Sequence, residues 1–293
     1  MAFKKILCPI DFSVGAKHAM RVAIRMANEA DAELVIAHAW HMPAIAAASE
    51  FPLPADSVQR MIADEERGLE QAVREARELG AKRVTPLFLT GLPWHEIVET
   101  AQNDRAFDLI VIGTRGRTGF ARVLLGSVAE NVIRHAPCPV LATRTPGGLV
   151  PFDRILLPLD FSESSLRAAK LAAGLAKPQG RGITLLHVIE VPITYSGDLP
   201  EEELLEEIDR QASQHVARVA TMLRETVKAP IETRIRIGHP GAQILGALDE
   251  DGAFDLIVMG SHGRTGIRRV LLGSVAEKVV RHAPCPVLVE RAP

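Results

Sequence analysis

The feature that most constrains this chain is that it contains itself twice. KKILCPIDFS, beginning at Lys4, returns as DRILLPLDFS at Asp153, which sets Ile6 on Ile155 and Asp11 on Asp160 at an offset of 149. DLIVIGTRGRTGFARVLLGSVAENVIRHAPCPVL, beginning at Asp108, returns from Asp255 at an offset of 147, with 27 of 34 positions identical. The two-residue loss falls between His38 and Gly91, where the first copy carries the Pro- and Ala-rich WHMPAIAAASEFPLPAD, the natural place for a variable surface loop. Solenoid repeats run to roughly 20–50 residues, so a repeat this long must bury a core of its own. In 293 residues this predicts two domains, 1–144 and 153–293, with 145–152 as a linker built on Thr145-Pro146-Gly147-Gly148.

Within each copy, short β-branched runs alternate with longer amphipathic stretches, the pattern of an α/β fold. Strands are predicted near 5–10, 33–39, 84–90, 108–113 and 139–143 of the first copy, and helices near 14–29, 57–79, 94–104 and 127–135. Leu109-Ile110-Val111-Ile112 and Leu256-Ile257-Val258-Met259 are apolar on both faces, as central strands of a parallel sheet covered on both sides must be. The expectation is two tandem doubly wound, Rossmann-like domains, each a five-stranded parallel sheet with helices on both faces. Such sheets bind ligands beyond the carboxyl ends of their strands, where the strand order reverses.

Composition narrows the partners. A chain with 47% hydrophobic and 24% charged residues is ordinary globular protein, and a net charge of −2 supplies no electrostatic reason to expect nucleic acid or an anionic membrane. No apolar run approaches the ~18–20 residues of a bilayer span, and Ile6-Leu7-Cys8 is cut short by Pro9 and Asp11. Cys8, Cys138 and Cys285 are too few and too scattered for a disulfide framework or a four-ligand zinc site, which points to a reducing, cytoplasmic setting.

The chemistry is expected after the first and fourth strands of each copy. From Gly113 the sequence runs GTRGRTGFARVLLGS and from Gly260 it runs GSHGRTGIRRVLLGS, so both copies share the spacing G-x2-G-x9-G-S. Glycines there allow positive φ and close approach of a ligand to main-chain N–H groups, which at a strand-to-helix loop are natural phosphate donors. Arg115, Arg117 and Arg122 in one loop, and Arg264, Arg268 and Arg269 in the other, stand without any acid between the bounding glycines. The plainer reading makes the glycines turn residues and makes Ser127 with Glu130, and Ser274 with Glu277, capping boxes. A capping box and an anion site are compatible, and two matching cationic copies at strand ends favour the phosphate reading over turns alone.

These residues resemble the universal stress protein family in its tandem two-domain form, and the likeness spans nearly the whole chain. G-x2-G-x9-G-S is the signature of the family's ATP-binding branch, and Pro9 to Ser13 and Pro158 to Ser162 are similar to its adenine- and ribose-side element. The resemblance implies a fold of the adenine nucleotide alpha hydrolase-like kind. It implies that Asp11 meets the ribose, that Ile10 and Ala39 line the adenine pocket, and that Gly113, Gly116, Gly126 and Ser127 hold the phosphates, with Pro9, Ile112, Arg115 and Val128 also on the nucleotide. In the second copy it implies the same for Asp160, for Leu159 and Val188, and for Gly260, Gly263, Gly273 and Ser274, with Pro158, Met259, His262 and Val275 also on the nucleotide. Arg115 stands where the second copy has His262, the residue commoner there in ATP-binding members, and Ala39 stands where it has Val188, so the two sites need not bind equally. The implied ligand is ATP, with or without Mg or Mn on its phosphates. The family also implies that the two domains pair within the chain through their last strands, near 139–143 and 286–291, and that chains form a homo-oligomer.

Enzymatic phosphoryl transfer generally needs a Lys on the β/γ-phosphates, a metal-holding Ser/Thr with an acid, and a residue orienting the nucleophile. Neither Gly-rich loop contains a Lys, and adenylyl-transferring relatives of this architecture place a Gly/Ser-rich loop where this chain has PIDFS and PLDFS. A nucleotide-dependent regulator with slow or no hydrolysis is therefore expected, at most a weak ATPase. An enzyme acting on adenylate-containing substrates and an apo dimerising interaction module are the alternatives. Cys138 and Cys285 between prolines read as buried packing rather than redox sensors. His135 and His282 read as helix C-terminal cations, and Glu201 to Glu207 as a solvated helix start. His95-Glu96 lacks the second His of a zinc-protease helix, and His38 and His187 sit at ends of buried strands, so no metal site is expected.

Overall fold

Ile6, Leu7 and Cys8 have no exposed surface because the first strand lies between two parallel neighbours and under helices. In the computed structural model this strand is β1 (Lys5–Pro9), followed by α1 (Val14–Ala30), β2 (Glu33–Trp40), α2 (Ala55–Glu78) and β3 (Val84–Thr90). α3 (Pro93–Asn103), β4 (Leu109–Gly113), α4 (Ser127–His135) and β5 (Val140–Thr143) complete the first unit, residues 2–149. Its strands run parallel in the order β3-β2-β1-β4-β5, so the chain winds outward one way from β1 and the other way from β4. The structure describes residues 3–42, 53–114, 125–144, 152–190, 201–250, 254–263 and 272–291. Most of the linker, and Arg115, Gly116 and the other loop arginines, fall outside them.

The second unit, residues 150–292, repeats the plan. It contains β6 (Arg154–Pro158), α5 (Glu163–Leu175), β7 (Gly182–Ile189), α6 (Glu201–Arg224), β8 (Ile231–Ile237), α7 (Pro240–Glu250), β9 (Leu256–Gly260), α8 (Ser274–His282) and β10 (Val287–Glu290). Its strands are parallel in the order β10-β9-β6-β7-β8. Each unit is thus the α/β, doubly wound, five-stranded parallel sheet that the residue pattern predicts. Among the described residues, no helix is long and apolar enough to cross a membrane.

Helix faces follow the apolar period. α1 buries Ala16, Ala19, Met20, Ala23, Ile24 and Ala27, an i, i+3, i+4 stripe whose alanines let the helix lie close to the sheet. The switch strands are pinned at their lower ends by an aspartate each. Asp108 accepts the Lys4 N–H at 2.7 Å and the Lys5 N–H at 3.3 Å, while Asp255 accepts those of Asp153 at 2.9 Å and Arg154 at 3.1 Å. Burial pushes the Asp255 carboxyl above the usual carboxylate range, against the opposing pull of these N–H groups.

Two outcomes test this packing. Gly182 opens β7 at φ +91°, and a Cβ there would overlap the Pro230 carbonyl, whereas Gly80 has the same φ with nothing within 4 Å. Gly182→Ala should lower the unfolding free energy by about 2 kcal/mol or more and Gly80→Ala by about 1 kcal/mol, read by urea denaturation. Equal losses would show that the Pro230 contact is not limiting. Cys8 has no exposed surface and burial pushes its thiol up to about 12, while Cys138 and Cys285 are each 8% exposed. An aromatic disulfide reagent at neutral pH should modify no thiol in the native protein and three after denaturation. Fast native labelling would contradict the burial.

Candidate functional site

Where the sheet order reverses between β1 and β4, the segments leaving the two strands diverge and open a cleft. In the first unit this cleft is a cavity of about 580 Å³, and in the second, between β6 and β9, one of about 500 Å³. Pro9, Ile10 and Asp11 leave β1 along its floor, Ile112 and Gly113 end β4, and Gly126, Ser127 and Val128 begin α4 on the far wall. Ala39 closes the β2 side. Nine of the first-copy residues named from the sequence therefore meet around one cavity, while Arg115 and Gly116 lie outside the described residues. All eleven of the second copy line the second cavity: Pro158, Leu159 and Asp160; Val188; Met259, Gly260, His262 and Gly263; and Gly273, Ser274 and Val275.

The Pro-x-Asp-Phe-Ser element shapes its own turn. Ser13 starts α1 as a true cap, its Oγ accepting the Ala16 N–H at 3.2 Å, while its own N–H donates to Asp11 Oδ1 at 3.1 Å. Ser162 does the same for α5, and its hydroxyl also donates to Asp160 Oδ1 at 2.6 Å. The residue between them, Phe12 at φ 61° and Phe161 at φ 64°, is left-handed, a conformation costing a non-glycine residue about 1–2 kcal/mol. Each ring settles on a buried histidine, Phe12 on His38 at 4.5 Å and Phe161 on His187 at 4.6 Å. In turn, His38 Nδ1 lies 2.8 Å from the Ile10 carbonyl and His187 Nδ1 2.7 Å from that of Leu159. Sequence reasoning missed both the Phe turns and the histidines as cavity walls. The available signal was the repetition of Asp-Phe-Ser and of His at matching places in β2 and β7.

Two expectations about the Gly-rich loops need correction. The described loop glycines do not turn through positive φ: among the described residues, the positive-φ glycines are Gly80, Gly91, Gly182 and Gly238. Gly113 and Gly260 serve close packing. A Cβ on Gly113 would sit 2.8 Å from the Gly15 carbonyl, and one on Gly260 would sit 2.5 Å from Ser164 Oγ and 2.9 Å from backbone of the same turn. The absence of Cβ thus lets the first turn of α1 or α5 press on the end of the switch strand.

The capping boxes are also absent. The N-caps of α4 and α8 are Gly126 and Gly273, with no side-chain cap, so Ser127 and Ser274 are the first helical residues and Glu130 and Glu277 fall one position too late to reach back. Glu130 pairs instead with Arg134 at 3.0 Å, and Glu277 with Arg281 at 2.8 Å. The Gly126 N–H is held by the Thr114 carbonyl at 2.9 Å and the Gly273 N–H by that of Ser261 at 2.8 Å. Beyond them, the first-turn amides have no acceptor among the described residues, and the helix dipole adds partial positive charge at the same point. The arrangement can hold an anion on main-chain nitrogen, opposite an aspartate that can accept from hydroxyl groups.

The remaining candidates resolve simply. His135 Nδ1 bonds the Asn131 carbonyl at 2.8 Å and its ring meets Trp94 at 5.3 Å, a structural role at the end of α4. Among the described residues, the side chains with metal-ligand spacing are His95, Glu96 and Glu99, on the surface of α3 and apart from both cavities. Their separations of 3.5 and 3.6 Å are those of a surface charge cluster.

Comparison with known proteins gives the same architecture. The profile described as the Universal stress protein family matches residues 2–144 and again residues 151–291. A universal stress protein of Methanocaldococcus jannaschii is 40% identical over 145 residues, covering 48% of this chain and 84% of its own length. One from Mycobacterium tuberculosis is 29% identical over 298 residues, covering 98% of this chain and 96% of its own. Among solved structures, a universal stress protein from Archaeoglobus fulgidus superimposes with a TM-score of 0.70 over 99% of each chain at 24% identity, a likeness of fold alone. Matched twice, once on each half of a duplicated sequence, the chain belongs to the universal stress protein family in its tandem form.

Proposed function

We propose that this protein binds ATP in both cavities and acts as a cytoplasmic, nucleotide-dependent regulator of a stress response, with slow or no hydrolysis. The observation that carries the reading is the start of α4 and of α8: a glycine N-cap and first-turn amides with no acceptor among the described residues, at a cavity also lined by an aspartate. In this reading the amides after Gly126 and Gly273 hold the phosphates, with Arg115 and His262 beside them. Asp11 and Asp160 take the ribose hydroxyls, and Ile10 with Ala39, or Leu159 with Val188, flank the adenine.

The magnitudes agree with binding by both ends of the nucleotide. A dissociation constant of 1 μM needs about 8 kcal/mol net. Three charge-assisted amide bonds at roughly 1.5–3 kcal/mol each come to about 5–9 kcal/mol, against at least about 4 kcal/mol for lost freedom of motion. Phosphate contacts alone fall short, so adenine burial must supply the remainder.

Regulation rather than catalysis rests on the lack of any Lys in either Gly-rich loop, which leaves binding groups without an apparatus for in-line attack. Domain limits of 1–144 and 153–293, which rest on the internal repeat and the Thr145–Gly148 linker, belong to the same reading, as do pairing of the two domains through their last strands and assembly of chains into a homo-oligomer, which rest on the family resemblance.

Small molecules released on denaturing freshly purified protein should include an adenine nucleotide, identified by chromatography. Preparations that are nucleotide-free and also give no heat with ATP and Mg would favour an apo interaction module. Turnover at the ~1–10³ per second of ordinary enzymes, with release of AMP and pyrophosphate, would favour a catalyst.

Gly263 tests the loop directly, because a Cβ there would stand 2.8 Å from Asp160 Oδ2, across the cavity's mouth. Gly263→Val should weaken the second site at least about tenfold, ~1.4 kcal/mol, and leave the first unchanged, so calorimetry with ATP would resolve two classes of site. Two unaltered sites would defeat the assignment of this loop.

A further inference from the structure

The two cavities differ at the end away from the helix amides, and the difference is chemical. Resting on the nucleotide reading above, we propose that Glu65 is a base-selecting residue of the first cavity, accepting a hydrogen bond from an amino group on the purine edge. The second cavity, with alanine at the matching position, makes no such selection.

Orientation comes from the sheet. Phosphate held at the start of α4 lies beyond β4, and in the order β2-β1-β4 the end of β2 is two strand spacings away, roughly 10 Å. The base of a nucleotide so held reaches the β2 side, where His38, Ala39 and Trp40 meet Met61, Asp64 and Glu65 of α2. His38 is 5% exposed. Its Nδ1 faces the Ile10 carbonyl at 2.8 Å, and since a carbonyl only accepts, that nitrogen carries a hydrogen. Its Nε2 lies 3.3 Å from Glu65 Oε2. The imidazole, tied at both ends and covered by Phe12, fixes the Glu65 carboxylate on the cavity wall. An ionised carboxylate only accepts: it attracts a purine N–H and repels a ring-nitrogen lone pair.

Counting back from Gly91 and Gly238, the glycines that follow β3 and β8, sets Glu65 on Ala212, Asp64 on Gln211 and Met61 on Ile208. His187 keeps its bond to the Leu159 carbonyl at 2.7 Å, but Ala212 offers no acceptor, and among the described residues α6 does not line the second cavity.

The chain's two tryptophans, Trp40 on the first cavity and Trp94 on α3, both belong to the first unit, so their fluorescence reports that cavity. The full chain is titrated with ATP and with purine riboside 5′-triphosphate, which lacks the 6-amino group, and calorimetry follows both in parallel. The wild type should bind the analogue at least about tenfold more weakly in the first cavity, the loss of a hydrogen bond to a charged group. In Glu65→Ala the two ligands should bind within about twofold of each other, the substitution being the residue already present in the second repeat. Equal affinities in the wild type, a result that needs no variant to fold, or a tenfold preference retained in Glu65→Ala, would overturn the assignment while leaving nucleotide binding intact. Neither fluorescence change nor heat with either ligand would overturn the nucleotide reading, and this inference with it.

Discussion

A helix exposes amides at its start that nothing within the helix can satisfy. Each cavity is walled by two such starts, and they are treated in opposite ways. α1 and α5 are capped by the hydroxyls of Ser13 and Ser162, which take the amides of Ala16 and Ser165. α4 and α8 begin at glycines, with no side-chain cap among the described residues. The acids nearest each start, Glu130 and Glu277, fall one position too late to fold back over it and pair one turn onward with Arg134 and Arg281. A side-chain cap thus stands at one of the two helix starts of each cavity and not at the other, and the aspartate lies on the capped side.

That geometry depends on how close the capped helix comes to the switch strand. Gly113 and Gly260 permit contact with the first turn of α1 or α5 that any side chain would block, which sets Asp11 beside the end of β4 and Asp160 beside the end of β9. The copies then diverge in how they use the space. The second has Ser164 where the first has Gly15, and the Ser164 hydroxyl donates to the His262 carbonyl at 2.5 Å. A loop fixed this way by a side chain from another element loses less freedom when a ligand orders it. Preorganisation and ligand selection are therefore distributed differently: a tied loop in the second cavity, an anchored carboxylate in the first.

Much of this was legible in the residues because it is local. The run Leu109 to Ile112 is apolar on both faces and forms β4, and Ser13 and Ser162 cap helices from the element that looked like a strand-end motif. Switch-point logic placed the chemistry after the first and fourth strands, because strand ends are found from hydrophobic runs, while the family resemblance named the individual residues, Ala39 and Val188 among them. What failed was register and distance. Ser127 with Glu130 has the capping-box spacing, but the helix starts one residue earlier than that pattern needs, since Gly126 is anchored to the Thr114 carbonyl. Glu65 reaches His38 from another element, across a connection where the repeats lose two residues, so comparing the copies hides it. Nothing within a few positions of Glu65 distinguishes it from the other acids on α2.

The left-handed phenylalanines connect these features. Glycine at position 12 would adopt φ 61° without strain, yet a bulky aromatic occupies it and its equivalent in both units. The cost persists only if the ring returns more than the turn loses. In the first unit Phe12 lies on the His38 imidazole, against which Glu65 is set, and Gly68 leaves room for its edge, where a Cβ would stand 3.0 Å from the ring. In the second unit His215 stands in place of Gly68 and meets the Phe161 ring at 5.3 Å, and Ala212 stands in place of Glu65. A strained turn common to both copies thus holds Asp11 and Asp160 in one geometry, while the side chains around its ring give each cavity a different far wall.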